Sequence, residues 1–340
     1  MEHLSEGALV NLVSAAFEAH KMRADMAKDA ARMLVTAEMM GIQTHGLARV
    51  APYAARLRDG GVNPDALPVI TRPAPALLHV DGQNGLGAAV AIRATHAAMK
   101  AARKVGMCAA FCRASSHLGA LAPQLLEAAN AGFAAIFTTN TSPMIAPAGG
   151  RRPVLGNTPL GIALPDAHGE PVILDIALSV AARSKVRRAA TKGASIPATW
   201  ATDAQGKPTT DAAEAMKGLM QAIGGTKGAN LSLCLDLLAG GLSGAAMLSE
   251  VPNANEETKT IANVGHLFLV IDASKLMPPG ALADRIDDAR KLVRNSASSD
   301  ADPQPRLPGS RALAAMAKAR QTGVPVDPSL RASLEKLAAG

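Results

Sequence analysis

The sequence predicts an α/β fold with a largely buried sheet, and three observations lead to this prediction. From about residue 66, short runs of β-branched residues alternate with segments of helical periodicity. Hydrophobic residues make up 48% of the 340 residues, which is enough for the core of one large domain or two ordinary ones. Aromatic residues make up only 2%, so the core must be built from Ala, Leu, Val, Ile and Met.

Residues 1–65 are predicted to form a helical N-terminal segment. Apolar residues recur at helical spacing over 4–40 and are interrupted near "HKMRADM", which indicates two helices. A third helix is predicted from His45 to about Arg58, although Pro52 removes one of its backbone hydrogen bonds.

Residues 66–275 are predicted to form the α/β core. The alternation of strands with helices indicates a sheet that is largely covered. Strands are expected at 67–72, 76–82, 106–115, 132–140, 160–164, 171–175 and 265–272, and helices at 87–104, 119–130 and 229–242.

Residues 276–340 are predicted to be a C-terminal helical segment. Ser, Asp and Pro are frequent over 295–310, which is typical of a loop. Helices are expected at 311–322 and 328–338.

The basic charge of the chain is spread over the sequence. The 35 Lys and Arg residues exceed the 28 Asp and Glu residues by seven, but only short clusters such as "KVRRAATK" occur. A nucleic-acid-binding protein normally concentrates such charge on one element and offers aromatic platforms. We therefore expect no nucleic acid and no membrane partner, but a basic surface that favours small anionic substrates.

The cysteines and the termini indicate an intracellular protein. Cys108, Cys112 and Cys234 cannot all pair and lack metal-finger spacing. The start "MEHLSEGALV" is polar, and no uncharged apolar run reaches transmembrane length. A reducing cytoplasm is the expected location.

Familiar nucleotide-binding motifs are absent. In "DGQNGLGAAVAI" (81–92), Val90 stands where the third small residue of the dinucleotide fingerprint belongs. "GGTKGA" (224–229) lacks the spacing of a P-loop. A lysine among glycines before a helix can still hold a phosphate, and the alternative is a flexible surface loop.

His117 is the first candidate for acid/base chemistry. It lies in "RASSHLGA" (113–120), where a predicted strand ends and a helix begins. Imidazole titrates near neutral pH and therefore suits general acid/base catalysis. The alternative is that Ser115 or Ser116 caps the helix and His117 is an ordinary polar residue.

The stretch "GIQTHGLARVAPY" (41–53) is the second candidate. On a helix, His45, Arg49 and Tyr53 would lie along one stripe. An imidazole, a guanidinium and a phenol could hold a small anion and move a proton, or they could form a solvated helix face. The other histidines are His3, His20, His79, His96, His168 and His266. Because they lack partner spacing, we expect them at the surface or with satisfied hydrogen bonds in the core, and we expect no metal site.

Several stretches together resemble the malate/L-lactate dehydrogenase family that lacks a Rossmann domain. Sulfolactate, ureidoglycolate and diketogulonate oxidoreductases and Δ1-piperideine-2-carboxylate reductases are relatives within it. The resemblance runs from about residue 5 to residue 322. It is carried, in order, by "GIQTHGLARVAPY", "ASSHLGA", "TNTSPMIAPAGGRRPVLGNTPLGIALP", "ILDIALS", "DAQGKPTTD", "GGTKGANLSLCLDLLAGGLSGA" and "RLPGSR".

The resemblance implies a mixed-sheet, non-Rossmann NAD(P)-binding fold in which the N- and C-terminal helical segments pack together. It implies NAD or NADP as cofactor and a homodimer. His117 corresponds to the acid/base histidine of the family. Substrate-binding positions correspond to Thr44, His45, Arg49 and Tyr53, and cofactor-binding positions to Thr141, Asp175, Ile176, Ala177, Lys227, Pro308, Gly309 and Arg311.

The expected reaction is hydride transfer between NAD(P)H and a small 2-oxo or 2-hydroxy carboxylic acid. Histidine can supply the proton that carbonyl reduction requires, and the arginine fork can bind a carboxylate through two hydrogen bonds. Two alternatives are a reductase of cyclic ketimines, such as Δ1-piperideine- or Δ1-pyrroline-2-carboxylate, and a sensor that binds cofactor or metabolite without turnover.

Overall fold

A seven-stranded mixed sheet organises the chain, in a computed structural model that describes residues 2–254, 257–296 and 304–340. The strands in these residues are β1 (Glu2–Leu4), β2 (Val69–Ala74), β3 (Leu77–Asp81), β4 (Met107–Ser115), β5 (Phe133–Thr139), β6 (Leu160–Leu164), β7 (Val172–Ile176), β8 (Val264–Asp272) and β9 (Val324–Val326). The α-helices are α1 (Glu6–Glu18), α2 (Ala24–Met39), α3 (Val50–Asp59), α4 (Gly87–Val105), α5 (Ala122–Asn130), α6 (Arg183–Thr191), α7 (Ala212–Lys217), α8 (Thr226–Asp236), α9 (Pro279–Arg294), α10 (Ser310–Thr322) and α11 (Pro328–Ala339).

The strand order of the large sheet is β2-β3-β4-β8-β5-β6-β7. Strands β3 and β4 pair in parallel, and the other neighbouring strands pair antiparallel. Strand β8 comes from late in the sequence and lies between β4 and β5, so it holds the two halves of the sheet together. The predicted mixed α/β architecture is therefore confirmed.

The core lies on the face of the sheet that α4 and α5 cover. Along β4, Cys108, Ala110 and Cys112 are fully buried, whereas the residues between them keep some exposure. This alternation follows from the two-residue period of a strand. Helix α4 packs on β4 and β8, and α5 packs on β5 and β6.

The two ends of the chain meet. Strand β1 pairs antiparallel with β9, and α1 packs against α11. Helix α2 contacts both α10 and α4, and α4 packs on the sheet, so α2 links the terminal helices to the sheet. The domain boundaries at residues 65 and 275 remain a prediction.

A smaller apolar cluster forms in the segment between β5 and β8. Its buried residues, which the sequence reading did not identify as a core, are Ile145, Leu155, Ala181, Val186, Ile196, Ala201, Ala212, Ala215, Met220, Ala222 and Ala229. The helix predicted at 229–242 begins earlier, at Thr226, and its α-helical part ends at Asp236. One π-helical turn, Leu237–Gly241, follows it.

The prediction that a helix begins at His45 and runs to Arg58 was wrong about where the helix begins. Two 3-10 turns, Gln43–His45 and Leu47–Arg49, precede α3, and they are separated by Gly46, whose ψ of −130° is not helical. Because α3 begins at Val50, Pro52 lies in its first turn, where backbone N–H groups have no helical acceptor and proline costs little.

The start of a further helix also differs. The helix predicted at 119–130 begins at Ala122, because Gly119 has a φ of +90° that a right-handed helix does not allow. Part of the loop predicted at 295–310, residues 297–303, lies outside the described residues.

No helix of the described chain combines the length and the hydropathy that a membrane span requires.

Candidate active site

His117 follows the end of β4, where a bulge interrupts the pairing of that strand with β8. The register shifts between Cys112 and Ser115, and Ala114 takes a φ of +48° that is unusual for a residue with a side chain. The Ala114 N–H donates to Asn263 Oδ1 at 2.8 Å. The bulge therefore sets the direction in which the chain leaves the sheet before His117.

The start of α4 packs against the same loop. The Gly87 N–H donates to Ser116 Oγ at 2.9 Å. A Cβ atom on Gly87 would lie 2.0 Å from the carbonyl oxygen of Ser116 and 2.7 Å from the carbonyl carbon of His117. Only glycine permits this approach, so Gly87 allows the start of α4 to pack closely behind His117.

The imidazole of His117 is held through one nitrogen. Tyr53 Oη lies 2.6 Å from Nδ1, and the Gly119 N–H donates to Nδ1 at 3.2 Å. An amide N–H can only donate, so Nδ1 accepts, and the neutral ring carries its proton on Nε2. Among the described residues, no group is hydrogen-bonded to Nε2.

The predicted substrate-binding residues meet at this ring. The His45 ring stacks on His117, with centroids 5.7 Å apart and planes inclined by 19°. Thr44 Oγ1 lies 2.9 Å from His45 Nδ1, and Arg49 Nε donates to the carbonyl oxygen of Thr44 at 2.7 Å. The structure thus brings together the residues of the predicted stripe, although they occupy two 3-10 turns and α3 rather than one helix.

Glu38 of α2 holds these turns, and the sequence reading missed it. Its Oε2 accepts a hydrogen bond from the Leu47 N–H at 2.9 Å. A Cβ atom on Gly46 would lie 2.9 Å from the backbone nitrogen of Glu38 as well as 2.3 Å from the same oxygen, so glycine is needed here too. Burial raises the pKa of Glu38. No motif could have indicated this contact, because Glu38 lies outside the stretch that it supports.

The electrostatics of the site disfavour a positive charge on either ring. Burial, and next the positive charge of Arg49, hold the pKa of His117 well below its usual value. Burial and Arg49 also lower the pKa of His45 to about 4. Both rings are therefore neutral at pH 7 in the free protein. An anion bound at Arg49 would offset its charge and raise both pKa values.

A cavity of about 310 Å³ is lined in part by four of the predicted cofactor-binding residues, Asp175, Pro308, Gly309 and Arg311. The other lining residues are Met40, Ile42, Ala122, Ile173, Arg306, Leu307 and Ala312. The Asp175 carboxylate accepts from the Ala122 N–H at 2.8 Å, and burial raises its pKa. Because Ile42 lies two residues before Thr44, the cavity adjoins the turns that carry the predicted substrate-binding residues.

The turn before α10 is fitted closely to β7. The Ile173 N–H donates to the carbonyl oxygen of Pro308 at 3.1 Å. Gly309 has a φ of +89°, and a Cβ atom on it would lie 2.9 Å from the carbonyl oxygen of Ile173. Glycine is therefore required at 309, and it leaves one wall of the cavity as bare backbone.

The remaining predicted cofactor-binding residues form a second group. Thr141 Oγ1 and Asn157 exchange two hydrogen bonds of 3.0 Å, and the carbonyl oxygen of Asn157 accepts from the Leu178 N–H at 2.7 Å. Leu178 in turn accepts from the Ile223 N–H, shortly before Lys227 in the first turn of α8. Ile176 and Ala177 directly precede Leu178.

Of the eight predicted cofactor-binding residues, four therefore line the 310 Å³ cavity and four do not. Lys227 is exposed and does not line the 310 Å³ cavity. Asn157, which connects Thr141 to the chain beside Ala177, was not predicted as a site residue. Within the described residues, no cluster of three or more His, Cys, Asp or Glu side chains could hold a metal ion.

Comparisons with known proteins identify the family. The family model described as malate/L-lactate dehydrogenase matches residues 4–335. The Δ1-pyrroline-2-carboxylate reductase of Ancylobacter novellus is 34% identical over 314 residues, which cover 90% of this chain and 89% of that protein. The malate dehydrogenase of Pyrococcus abyssi is 31% identical over 320 residues, covering 92% and 87%.

A solved structure shares the whole fold. The sulfolactate dehydrogenase from Methanocaldococcus jannaschii superposes with a TM-score of 0.90 at 29% identity, and the match covers 99% of this chain and 97% of that one. The resemblance inferred from the sequence motifs is thereby confirmed. This chain belongs to the malate/L-lactate dehydrogenase family of oxidoreductases.

Proposed function

We propose that this oxidoreductase transfers a hydride between NAD(P)H and a small 2-oxo or 2-hydroxy carboxylic acid of the malate or lactate type. One observation carries the proposal. His117 Nδ1 is bound to Tyr53 and Gly119, whereas no described residue is hydrogen-bonded to Nε2. A histidine held through one nitrogen, with the other available beside Arg49, is suited to exchange a proton with a bound carboxylic acid.

Arg49 would bind the substrate carboxylate. Its Nε already donates to the carbonyl oxygen of Thr44, which fixes the plane of the guanidinium. The terminal nitrogens of a guanidinium match the two oxygens of a carboxylate in geometry and charge. Thr44 and His45 lie next to this position and would contact the remainder of the substrate.

His117 would act as the proton donor in the direction of reduction. Carboxylate binding at Arg49 raises the pKa of His117, because the guanidinium charge is one cause of its depression. The proton is gained at Nδ1, and the Tyr53 hydroxyl then changes from donor to acceptor, which a hydroxyl can do and an amide cannot. The Nε2 proton passes to the substrate oxygen as the carbonyl becomes an alcohol.

The cofactor proposed here is NAD or NADP, which supplies the hydride when bound. Asp175, Pro308, Gly309 and Arg311 would hold one part of it in the 310 Å³ cavity, which fits because Gly309 presents bare backbone and Arg311 a cation. Thr141, Ile176, Ala177 and Lys227 would hold another part. We propose a non-Rossmann mode of binding, since the large sheet has a single parallel pair among its described strands.

A second candidate substrate is a cyclic ketimine. It is supported by the 34% identity to the Δ1-pyrroline-2-carboxylate reductase over 90% of this chain. Arg49 would bind the carboxylate of the ketimine as it binds that of an oxo acid. His117 would deliver its proton to the imine nitrogen instead of the carbonyl oxygen.

The test is oxidation of NADH and of NADPH by the purified protein. The substrates are pyruvate, oxaloacetate, a bulkier 2-oxo acid, Δ1-pyrroline-2-carboxylate and Δ1-piperideine-2-carboxylate. Turnover of an oxo acid supports the first candidate, and turnover of ketimines alone supports the second. Cofactor binding without turnover of any of these would contradict both and favour a sensor.

We also propose a homodimer. One face of the large sheet presents a row of apolar residues that all keep solvent exposure, namely Leu77, Ala109, Leu269, Ile136, Ile162 and Leu174. A continuous apolar face of this kind is normally covered by another protein surface. The family resemblance favours a second copy of this chain.

We also propose that the protein is located in the cytoplasm. Cys234 is an exposed free thiol, and a free thiol is typical of a reducing compartment.

A further inference from the structure

His266 is a buried histidine that links two strands through its ring nitrogens. It lies in β8, between Cys112 of β4 and Thr139 of β5 in the register of the sheet. Its Nδ1 lies 2.7 Å from Thr139 Oγ1, and its Nε2 lies 2.8 Å from Ser115 Oγ. The ring is fully buried, as are both hydroxyl-bearing residues.

The direction of these hydrogen bonds follows from the neighbouring carbonyl groups. Thr139 Oγ1 lies 3.1 Å from the carbonyl oxygen of Gly265, to which only the hydroxyl proton can be donated. Thr139 Oγ1 therefore accepts from Nδ1–H of His266, and Ser115 donates its hydroxyl proton to Nε2. Burial lowers the pKa of His266 to about 3, so the ring stays neutral with one donor and one acceptor.

Each hydroxyl group lies two residues before a residue of the site. Ser115 is the last residue of β4, after the bulge, and precedes His117, and Thr139 precedes Thr141, which exchanges two hydrogen bonds with Asn157. One imidazole thus fixes the end of the strand that carries the acid/base histidine. The same imidazole fixes the end of the strand that leads to the second group of cofactor-binding residues.

We propose that His266 is a positioning residue that sets the relative placement of His117 and Thr141. A rigid ring bound on both edges fixes the distance between the two hydroxyl groups, and hence between the two strand ends, more tightly than apolar packing would. Since a displacement of about 1 Å can cost on the order of 100-fold in rate, this link affects catalysis without touching substrate. Its role depends on those proposed above for His117 and Thr141.

The test compares His266→Phe with His266→Gln. Phenylalanine keeps a ring but removes the acceptor of the Ser115 hydroxyl and the donor to Thr139 Oγ1, whereas glutamine keeps a donor and an acceptor. His79→Phe is the matched control, because His79 is a partly buried histidine of the same sheet, in β3, bound to the carbonyl oxygen of Ser243. For His266→Phe we expect a loss in kcat of about 10- to 100-fold with the KM of the carboxylate substrate near the wild-type value, and for His266→Gln recovery of most of kcat.

A second readout does not require turnover. The ring nitrogens of His117 are followed by NMR on histidine-labelled protein, in which the wild type should show the proton on Nε2. We expect His266→Phe to shift or broaden this signal and His266→Gln to restore it. Two milder variants each remove one of the two hydrogen bonds of His266. Ser115→Ala should perturb the His117 signal, and Thr139→Val should raise the KM of the cofactor.

Three results would overturn the inference. One is wild-type kcat in His266→Phe, and another is an equal loss of kcat in His266→Phe, His266→Gln and His79→Phe. The third is an unchanged His117 signal in both His266→Phe and Ser115→Ala. If the wild-type enzyme itself oxidises neither NADH nor NADPH, the proposed function fails, while the NMR signals of His117 still decide whether His266 positions that ring.

Discussion

Tyr53 Oη lies 2.6 Å from His117 Nδ1, which joins α3 to the loop after β4 across 64 residues of sequence. The tyrosine is buried, and burial raises the pKa of its hydroxyl, so it remains a neutral phenol. A neutral phenol can donate to the ring in one protonation state and accept from it in the other. Tyr53 therefore orients His117, the proposed acid/base histidine, rather than serving only as the substrate-binding residue expected from the sequence.

Tyr53→Phe should lower kcat with little change in the KM of the carboxylate substrate. The variant keeps the packing of the ring but removes the hydroxyl that orients His117. The loss of one such hydrogen bond, about 1–1.5 kcal/mol, corresponds to roughly a tenfold decrease in rate. Steady-state kinetics provide the measurement. A raised KM with unchanged kcat would instead mean that the hydroxyl binds substrate.

Arg49→Ala should raise the KM of the carboxylate substrate by roughly 10- to 100-fold, the value of a charged hydrogen-bonded contact of about 1.5–3 kcal/mol. Arg49→Lys should recover only part of this loss, because an ammonium lacks the planar fork. Arg285→Ala, on an exposed position of α9, is the control. An unchanged KM in Arg49→Ala would show that the carboxylate binds elsewhere.

The buried histidines should make the protein less stable in acid. Burial lowers the pKa of His266 to about 3 and that of His45 to about 4, whereas both are near 6.5 in the unfolded chain. Below about pH 6.5 the unfolded state therefore binds protons that the folded state does not. The free energy of unfolding falls as the pH falls towards the folded pKa values.

His266→Gln measures how much of this decrease in the free energy of unfolding is due to His266. Between about pH 6 and pH 4, the free energy of unfolding of the variant should fall less steeply than that of the wild type, by about 1.4 kcal/mol per pH unit. Urea unfolding at several pH values measures this slope. Equal slopes for His266→Gln and wild type would mean that His266 is protonated in the folded state.

The exposed sheet face should carry the subunit contact. Ile136 lies in the middle of the apolar row and is 39% exposed, so Ile136→Asp places a charge on that face. Leu292→Asp is the control, because Leu292 is 75% exposed on α9 and is not one of the residues of the row. Analytical ultracentrifugation should find a dimer for the wild type and the control and a monomer for Ile136→Asp. A monomeric wild type, or a dimeric Ile136→Asp, would contradict the proposed interface.

Local features of the fold were predictable from the sequence, because they depend on neighbouring residues. The break between α1 and α2, the strand that ends before His117 and the paired burial of Cys108 and Cys112 all follow from the periodicity of short segments. The helix at His45 was misread because the alternative conformation depends on the contact of Gly46 with Glu38, a tertiary effect that periodicity does not contain.

Long-range relationships were not predictable in this way. The place of β8 between β4 and β5 brings together segments that are more than a hundred residues apart. His266 was expected at the surface or satisfied in the core, and it is a satisfied core residue. Its partners Ser115 and Thr139 lie 151 and 127 residues away, so no local pattern could connect it to the site. The family resemblance supplied the roles of individual residues that spacing alone left open.

The most direct test of the account is the rate of NAD(P)H oxidation by His117→Ala, measured with the substrate that the wild type turns over fastest. We expect a loss in kcat of about 100-fold or more, the usual contribution of a positioned acid/base group, with the cofactor still bound. Wild-type turnover by His117→Ala would contradict it, because the proton would then have to come from another group.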